Sequence, residues 1–196
     1  MNLNVRYVDT DLNRSFGKRT PCGYEKNRAV LLTKVMSQKD FVIDIHQTTA
    51  DMDHCGFITS NTPQIWQMCS YFHNLKHIVL AKGYGGKDKN LLLENDNMGV
   101  AIEYSRTGNF EQECQIVEQD IQNFINKVPN PNKQKYYQLI TKIEKTPEFS
   151  LTNWVVITDE QKQKLALDIT KDLYPIFIGE KAYGTQYCTI VEKINT

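Results

Sequence analysis

Two polar side chains sit where the surrounding sequence is mostly apolar. His46 closes the run Phe41-Val42-Ile43-Asp44-Ile45-His46, and Glu103 lies inside Val100-Ala101-Ile102-Glu103-Tyr104. Neutral imidazole is the commonest protein ligand for zinc, but a His at a strand end serves equally as a hydrogen-bonded pocket residue without metal. A carboxylate within an apolar run is costly to bury unless it is paired or used. Partial burial would raise the Glu103 pKa and suit it to general-base work near neutral pH. The plainer alternative is an edge strand that turns Glu103 to water.

A third candidate is the polar string Asp9-Thr10-Asp11-Leu12-Asn13-Arg14-Ser15-Phe16. Arg14 offers a planar fork that can hold a carboxylate through two hydrogen bonds. Asn13 offers both a donor and an acceptor. Arg6 adds a cation nearby. Composition alone also fits a solvated loop. His54, His73 and His77 have no useful mutual spacing, and His73 and His77 read as helix-end or surface residues. Arg106, Lys82, Lys87 and Lys89 read as solvated charges. There is no Walker loop, GxSxG, HExxH or dinucleotide fingerprint, and Gly83-Tyr84-Gly85-Gly86 does not sit in the register such a fingerprint needs.

The elements that must position these residues are legible in outline. Apolar spacing predicts a helix from about Lys26 to Gln38, then a buried strand ending at His46. Thr62-Pro63 opens a second helix, with Ile65, Met68, Cys69, Phe72 and Leu75 at helical spacing. His77 to Leu80 and Val100 to Tyr104 read as strands, and Gln112 to Val128 as a helix. Strands alternating with helices predict an α/β layer structure with a largely parallel sheet. Ligands bind beyond the carboxyl ends of strands in such sheets, where His46 and Glu103 fall. Val128-Pro129-Asn130-Pro131-Asn132 is a boundary, because two prolines cannot continue the helix. Beyond it Tyr136 to Ile143, Trp154 to Thr158, Tyr174 to Ile178 and Cys188 to Ile194 read as strands, with a helical turn near Asp159 to Leu167. The expected organisation is a domain over 1–128 and a small β-rich domain over 133–196.

Composition bounds the function. The 23 Lys and Arg balance the 23 Asp and Glu of the 196 residues, which argues against a nucleic-acid binder. No apolar run approaches the ~18–20 residues needed to span a bilayer. Met1 to Arg6 shows no signal-peptide pattern, and a cytoplasmic location is expected. The five cysteines, Cys22, Cys55, Cys69, Cys114 and Cys188, are odd in number and irregular in spacing, so free and mostly buried thiols are expected.

Taken in order, these segments resemble the aspartoacylase and succinylglutamate desuccinylase family, a branch of the zinc carboxypeptidase-like fold. Arg6-Tyr7-Val8-Asp9-Thr10-Asp11-Leu12-Asn13-Arg14-Ser15-Phe16 is similar to its arginine segment with a DLNR core. Asp44-Ile45-His46-Gln47-Thr48-Thr49-Ala50-Asp51-Met52 is similar to its zinc segment, and Gly99-Val100-Ala101-Ile102-Glu103 to its catalytic segment. Glu180-Lys181-Ala182-Tyr183 resembles its C-terminal E-x-A-Y, which with Thr48-Thr49 favours the aspartoacylase branch.

The resemblance implies an α/β, zinc-carboxypeptidase-like three-layer sheet followed by a small β-rich domain. It implies that His46 is one of three protein ligands of a catalytic zinc, one ion per subunit. Glu103 would be the general base and Arg6 would stabilise the oxyanion. Asn13, Arg14 and Tyr183 would bind the substrate. The implied reaction is hydrolysis of an N-acyl amino acid, with N-acetyl-aspartate as the leading candidate. A small acidic substrate is thus expected, with no nucleic acid or membrane partner, and a homodimer stays open.

Two departures qualify this. The family draws its first two zinc ligands from an H-x-x-E segment upstream of the DLNR core, yet only Met1 to Thr10 precede that core, and no His here has Glu at the third following position. The expectation is an N-terminally truncated chain that binds zinc poorly and lacks the first elements of the sheet. Leu91 to Met98 also lacks the arginine the family places there for substrate. The competing expectations are a metal-free module binding a small acidic metabolite through Asn13, Arg14 and Tyr183, and a succinylglutamate-type desuccinylase.

Overall fold

A computed structural model describes residues 8–17, 22–82, 98–106, 108–180 and 186–194. The chain opens on a 3-10 turn, Leu12–Arg14, followed by α1 (Tyr24–Met36), β1 (Val42–Thr48), β2 (Cys55–Ile58), α2 (Pro63–Cys69) and β3 (His77–Leu80). Then come β4 (Gly99–Ser105), α3 (Phe110–Ile125), β5 (Lys135–Ile143), α4 (Asp159–Lys164), β6 (Leu173–Ile176) and β7 (Cys188–Ile194). All seven strands form one sheet in the order β1-β4-β2-β3-β5-β7-β6.

The sheet is mixed rather than largely parallel. β1/β4, β2/β3 and β3/β5 run parallel, whereas β2/β4, β5/β7 and β6/β7 run antiparallel. One antiparallel pair comes from β2, the element that sequence periodicity missed, and the other two come from β7. β2 is short, contains Gly56, and slots between β3 and β4 with the opposite direction to β4. A Cβ on Gly56 would meet Val100 Cγ2 at 3.0 Å, Ile78 Cδ1 at 3.1 Å and Leu75 Cδ1 at 3.2 Å. Glycine is therefore what lets β2 fit under the side chains of Val100, Ile78 and Leu75.

Alternation along each strand separates the two faces. Ile58, Ile78, Val100, Ile102 and Tyr104 point to one face and pack with Ile65, Cys69, Phe72 and Leu75, under Ile116, Val117 and Phe124 of α3. Cys55, Val79, Tyr137 and Val191 point to the other face and pack with Ile176 and Phe177. β5 continues the sheet directly from β3, so strands on both sides of the Pro129–Asn132 boundary share one hydrogen-bonded surface.

Three boundaries differ from the sequence pattern. α2 stops at Cys69 rather than running on to Leu75, because the chain turns and Gln134 Nε2 meets the carbonyls of Cys69, Phe72 and Leu75. Phe72 and Leu75 are buried by that turn instead of by a helix face. Trp154 to Thr158 is not a strand. Trp154 adopts φ 61°, outside the extended region, while its N–H reaches Pro175 O at 2.9 Å. The turn near Asp159 is the helix α4, closed by a capping box between Thr158 and Gln161.

Candidate functional site

β1 and β4 bring two of the expected residues together. In their parallel register His46 lies directly opposite Glu103, on the same face of the sheet. Neighbouring strands stand about 4.8 Å apart, so the two side chains leave adjacent points of one surface. The row continues across the sheet. Glu103 faces Cys55, Cys55 faces His77, and His77 faces Lys135. Glu103 is half-buried, on a strand flanked by β1 and β2 rather than at an edge of the sheet. Its charge registers on Cys55, whose thiol is pushed well above its ordinary range by burial first, then by Glu103 and Asp53. Cys55 therefore stays protonated and is no nucleophile.

His46 is oriented by its own strand. Its Nε2 lies 2.9 Å from Asp44 Oδ2, two residues earlier on the same face. A carboxylate accepting the Nε2 proton leaves the lone pair on Nδ1, the tautomer a metal-binding or hydrogen-bond-accepting imidazole needs.

The loop after β1 is held by a residue that sequence reasoning passed over. The Glu180 carboxylate accepts from Thr48 Oγ1 at 2.5 Å, from the Thr49 N–H at 2.8 Å and from Thr49 Oγ1 at 3.0 Å. Thr48 Oγ1 in turn accepts from the Ala50 N–H at 3.1 Å. Glu180 thus ties a segment near the C-terminus to the turn that begins two residues after His46. The signal was present, since Glu180 heads the same E-x-A-Y that drew attention to Tyr183. A second tie comes from the Arg106 N–H, which donates to Thr48 O at 3.3 Å and joins the ends of β1 and β4.

His54 and His77 are structural neighbours of this row. The Ser105 N–H donates to His54 Nδ1 at 2.9 Å, so that nitrogen carries no proton. Burial lowers the His54 pKa, against the raising effect of Asp120 and Asp53. His77 is not at the surface as its sequence position suggested, but 2% exposed on β3. It stacks on Trp154 with ring centroids 3.8 Å apart, and its Nε2 lies 3.2 Å from Asp53 Oδ2. Burial lowers its pKa to about 4 despite Asp53, so it is neutral at pH 7.

The DLNR segment is positioned by α1 rather than by the sheet. Asp11 caps the 3-10 turn by accepting from the Asn13 N–H at 2.9 Å. The Glu25 carboxylate accepts from the backbone N–H groups of Val8 at 2.6 Å and Asp9 at 3.0 Å. Burial acts to raise the Glu25 pKa, but the backbone donors outweigh it and hold the carboxyl below its ordinary range. Lys26 Nζ donates to Gly17 O at 2.6 Å from the other side. Arg14 is exposed, with Nη1 donating to Asn13 O at 2.9 Å. Asn13 Oδ1 is buried without a hydrogen-bond partner. Arg6, Tyr183, Lys87 and Lys89 lie outside the described residues.

A catalytic zinc requires three protein donors and an open position. Among the described residues no group of three or more His, Cys, Asp or Glu could hold a metal ion. His46 has the donor chemistry and the carboxylate support, but the described residues do not complete a zinc site around it. The five cysteines are free, and Cys55, Cys69 and Cys188 are buried, as expected. No described helix is long and apolar enough to cross a membrane.

Comparison with known proteins places this geometry. The model of the succinylglutamate desuccinylase/aspartoacylase catalytic domain matches residues 1–121. A probable aspartoacylase of Trichodesmium erythraeum (strain IMS101) is 31% identical over 84 residues, covering 38% of this chain and 29% of that protein. The human N-acyl-aromatic-L-amino acid amidohydrolase (carboxylate-forming) is 36% identical over 88 residues, covering 38% of this chain and 26% of that protein. The matches therefore span under a third of either relative. The fold is that of the succinylglutamate desuccinylase of Chromobacterium violaceum (TM-score 0.70, 13% identity, 99% of this chain and 70% of that one). Murine aminoacylase 3 is similar as well (TM-score 0.67, 20% identity, 96% of this chain and 78% of that one).

Proposed function

The chain belongs to the succinylglutamate desuccinylase/aspartoacylase family, and from that premise we propose that it carries the His46–Glu103 half of a site that hydrolyses the amide bond of an N-acyl amino acid. The observation that carries the reading is the register of β1 and β4, which sets an oriented imidazole beside a half-buried carboxylate. In this proposal Glu103 removes a proton from the attacking water and passes it to the leaving amine. Arg6 stabilises the developing oxyanion. Asn13 and Arg14 hold the substrate carboxylate, assisted by Tyr183. N-Acetyl-aspartate is the leading substrate and N-succinyl-glutamate its competitor. Zinc dependence belongs to the proposal with His46 as one ligand, while the family's other two, from its H-x-x-E segment, have no counterpart in this sequence. A cytoplasmic enzyme with a small β-rich C-terminal unit over 133–196, joined to the rest through β5, completes it.

The test is zinc content together with hydrolysis of N-acetyl-aspartate and N-succinyl-glutamate, on the wild-type chain, His46→Ala and Glu103→Gln. Stoichiometric zinc lost in His46→Ala, with turnover reduced by about 10²–10⁴ in Glu103→Gln, supports the enzyme. Binding of N-acetyl-aspartate that is unchanged by a chelator, without turnover, supports instead a metal-free module for acidic metabolites. That second reading is favoured by the donor set around His46, which the described residues leave incomplete.

A further inference from the structure

β1 closes one end of the strand order, and its bonds to β4 show which way its backbone groups point. The Val42 N–H donates to Met98 O at 2.9 Å, and Thr48 O accepts from the Arg106 N–H at 3.3 Å. Backbone groups alternate sides along a strand, so Val42, Asp44, His46 and Thr48 turn theirs toward β4. Ile43, Ile45 and Gln47 turn theirs to the opposite edge, where no described residue bonds them. Such an edge is a template for another strand unless charge, proline or a bulge blunts it. β1 is seven residues long, holds no Lys, Arg or Pro, and pairs with β4 in unbroken register. Ile45 stands at its middle and is exposed.

The side chains of β1 select what fits this edge. Across a two-fold axis a strand pairs antiparallel with its own copy, and edge-facing residues must oppose edge-facing residues. The registers with the largest overlap are therefore centred on Asp44, Ile45 or His46. Centring on Asp44 sets that carboxylate against its copy, which is destabilising. Centring on His46 sets imidazole against imidazole and leaves Asp44 opposite Thr48. Centring on Ile45 instead sets Asp44 opposite the partner's His46, and His46 opposite the partner's Asp44. Asp44 and His46 already attract within one chain, with Oδ2 and Nε2 2.9 Å apart. The same register stacks Ile45 beside the partner's Ile45 and pairs Ile43 with the partner's Gln47. Every edge-facing backbone group of β1 then finds a partner.

We infer that β1 is the interface of a homodimer in which two copies join their sheets edge to edge, antiparallel and in register about Ile45. The partner's Asp44 then extends the row of Glu103 and His46 by one carboxylate. It stands in the close, non-hydrogen-bonded kind of cross-strand pair, about 4.5 Å between Cα atoms. The dimer is separate from the amidohydrolase reading and stands without it. Pairing of one short strand falls at or below the ~1,200 Å² where stable interfaces begin. Dissociation is accordingly expected at about 10–100 µM rather than in the nanomolar range.

The experiment is sedimentation velocity on the full chain from about 1 to 300 µM, with wild type and Ile45→Lys. A dimer that grows with concentration is expected in wild type. Ile45→Lys is expected to weaken it by about tenfold or more, with an unchanged melting curve because the position is exposed. The register is read by disulfide cross-linking with diamide, after Cys22→Ser and Cys114→Ser remove the exposed native thiols. Ile45→Cys is expected to link two copies, since its Cα lies about 5.5 Å from its own copy. Gln47→Cys faces the partner's Ile43 and is expected not to link. A wild-type monomer over the whole range overturns the inference. In such a monomer, slow amide exchange at Ile43, Ile45 and Gln47 would assign the edge to another segment of the same chain. A dimer that survives Ile45→Lys at full strength, or equal linking through Gln47→Cys, overturns it as well.

Discussion

Ile102 on β4 is fully buried, whereas Ile45, directly opposite it on β1, is 46% exposed. The contrast extends to whole elements. β4, β2 and β3 are covered by α2, the turn that follows it and α3, through Ile65, Phe72, Leu75, Ile116 and Phe124. β1 stands at the end of the strand order, and α1 leaves Leu31 66%, Val30 56% and Val35 56% exposed, burying only Glu25 and Ala29. The two members of the candidate site straddle this divide. Glu103 sits in the packed block, and His46 sits on the open strand. What holds His46 in place is therefore polar and local: Asp44 on its ring, Glu180 on the following turn, and the Arg106 backbone on Thr48. Each such tie is worth about 1 kcal/mol or a little more, against several for a buried aromatic ring.

Four measurements break or sharpen that comparison. Phe72→Ala, in the packed block against Phe124 at 5.1 Å, is expected to cost about 3–5 kcal/mol in urea unfolding. A loss below about 1 kcal/mol would make the inner block no better packed than the outer edge. The second is a pH titration of stability. The His77 pKa is lowered from 6.5 to about 4, so the unfolded chain takes up the proton first on acidification. Stability conferred by neutral His77 is present above pH 6.5 and is lost as pH falls from 6.5 towards 4, by roughly 3 kcal/mol. His77→Phe should flatten this slope, leaving the part due to His54, whose pKa is shifted in the same direction. A slope equal in wild type and His77→Phe would contradict a neutral buried His77.

On the open side, Glu180→Ala should release the turn after β1. Amide exchange at Thr49 is expected to lose about 1–3 kcal/mol of protection while the Ile78 and Val100 amides keep theirs. A uniform loss at all three would show that Glu180 supports the whole sheet rather than one turn. The smallest effect is expected from Val30→Lys and Leu31→Lys on α1, within about ±0.5 kcal/mol, because both positions already face water. A loss of several kcal/mol there, with a change in sedimentation, would reveal that this face is covered in solution.

Local signals were enough for many elements. The strand holding His46, the strand holding Glu103, the start of the helix opened by Thr62-Pro63 and the strand His77–Leu80 stand where their apolar periods and caps put them, although β1 runs on to Thr48 and α2 stops at Cys69. β2 was missed because four residues containing a glycine give no periodic signal, and only contact with Val100, Ile78 and Leu75 makes that glycine necessary. Trp154 was misread because its run is β-rich in composition, whereas stacking on His77 fixes it at a positive φ.

The sequence by itself determined which residue types could do chemistry and which short elements bear them. Cap, period and composition act over a few residues, and so they remain visible without a fold. Only the tertiary structure decided that His46 and Glu103 are neighbours, that His77 is buried, and that Glu180 reaches back 132 residues to Thr48. These pairings depend on strand order and direction. A single unrecognised strand, β2, runs parallel to β3 and against β4, and no local pattern encodes that choice.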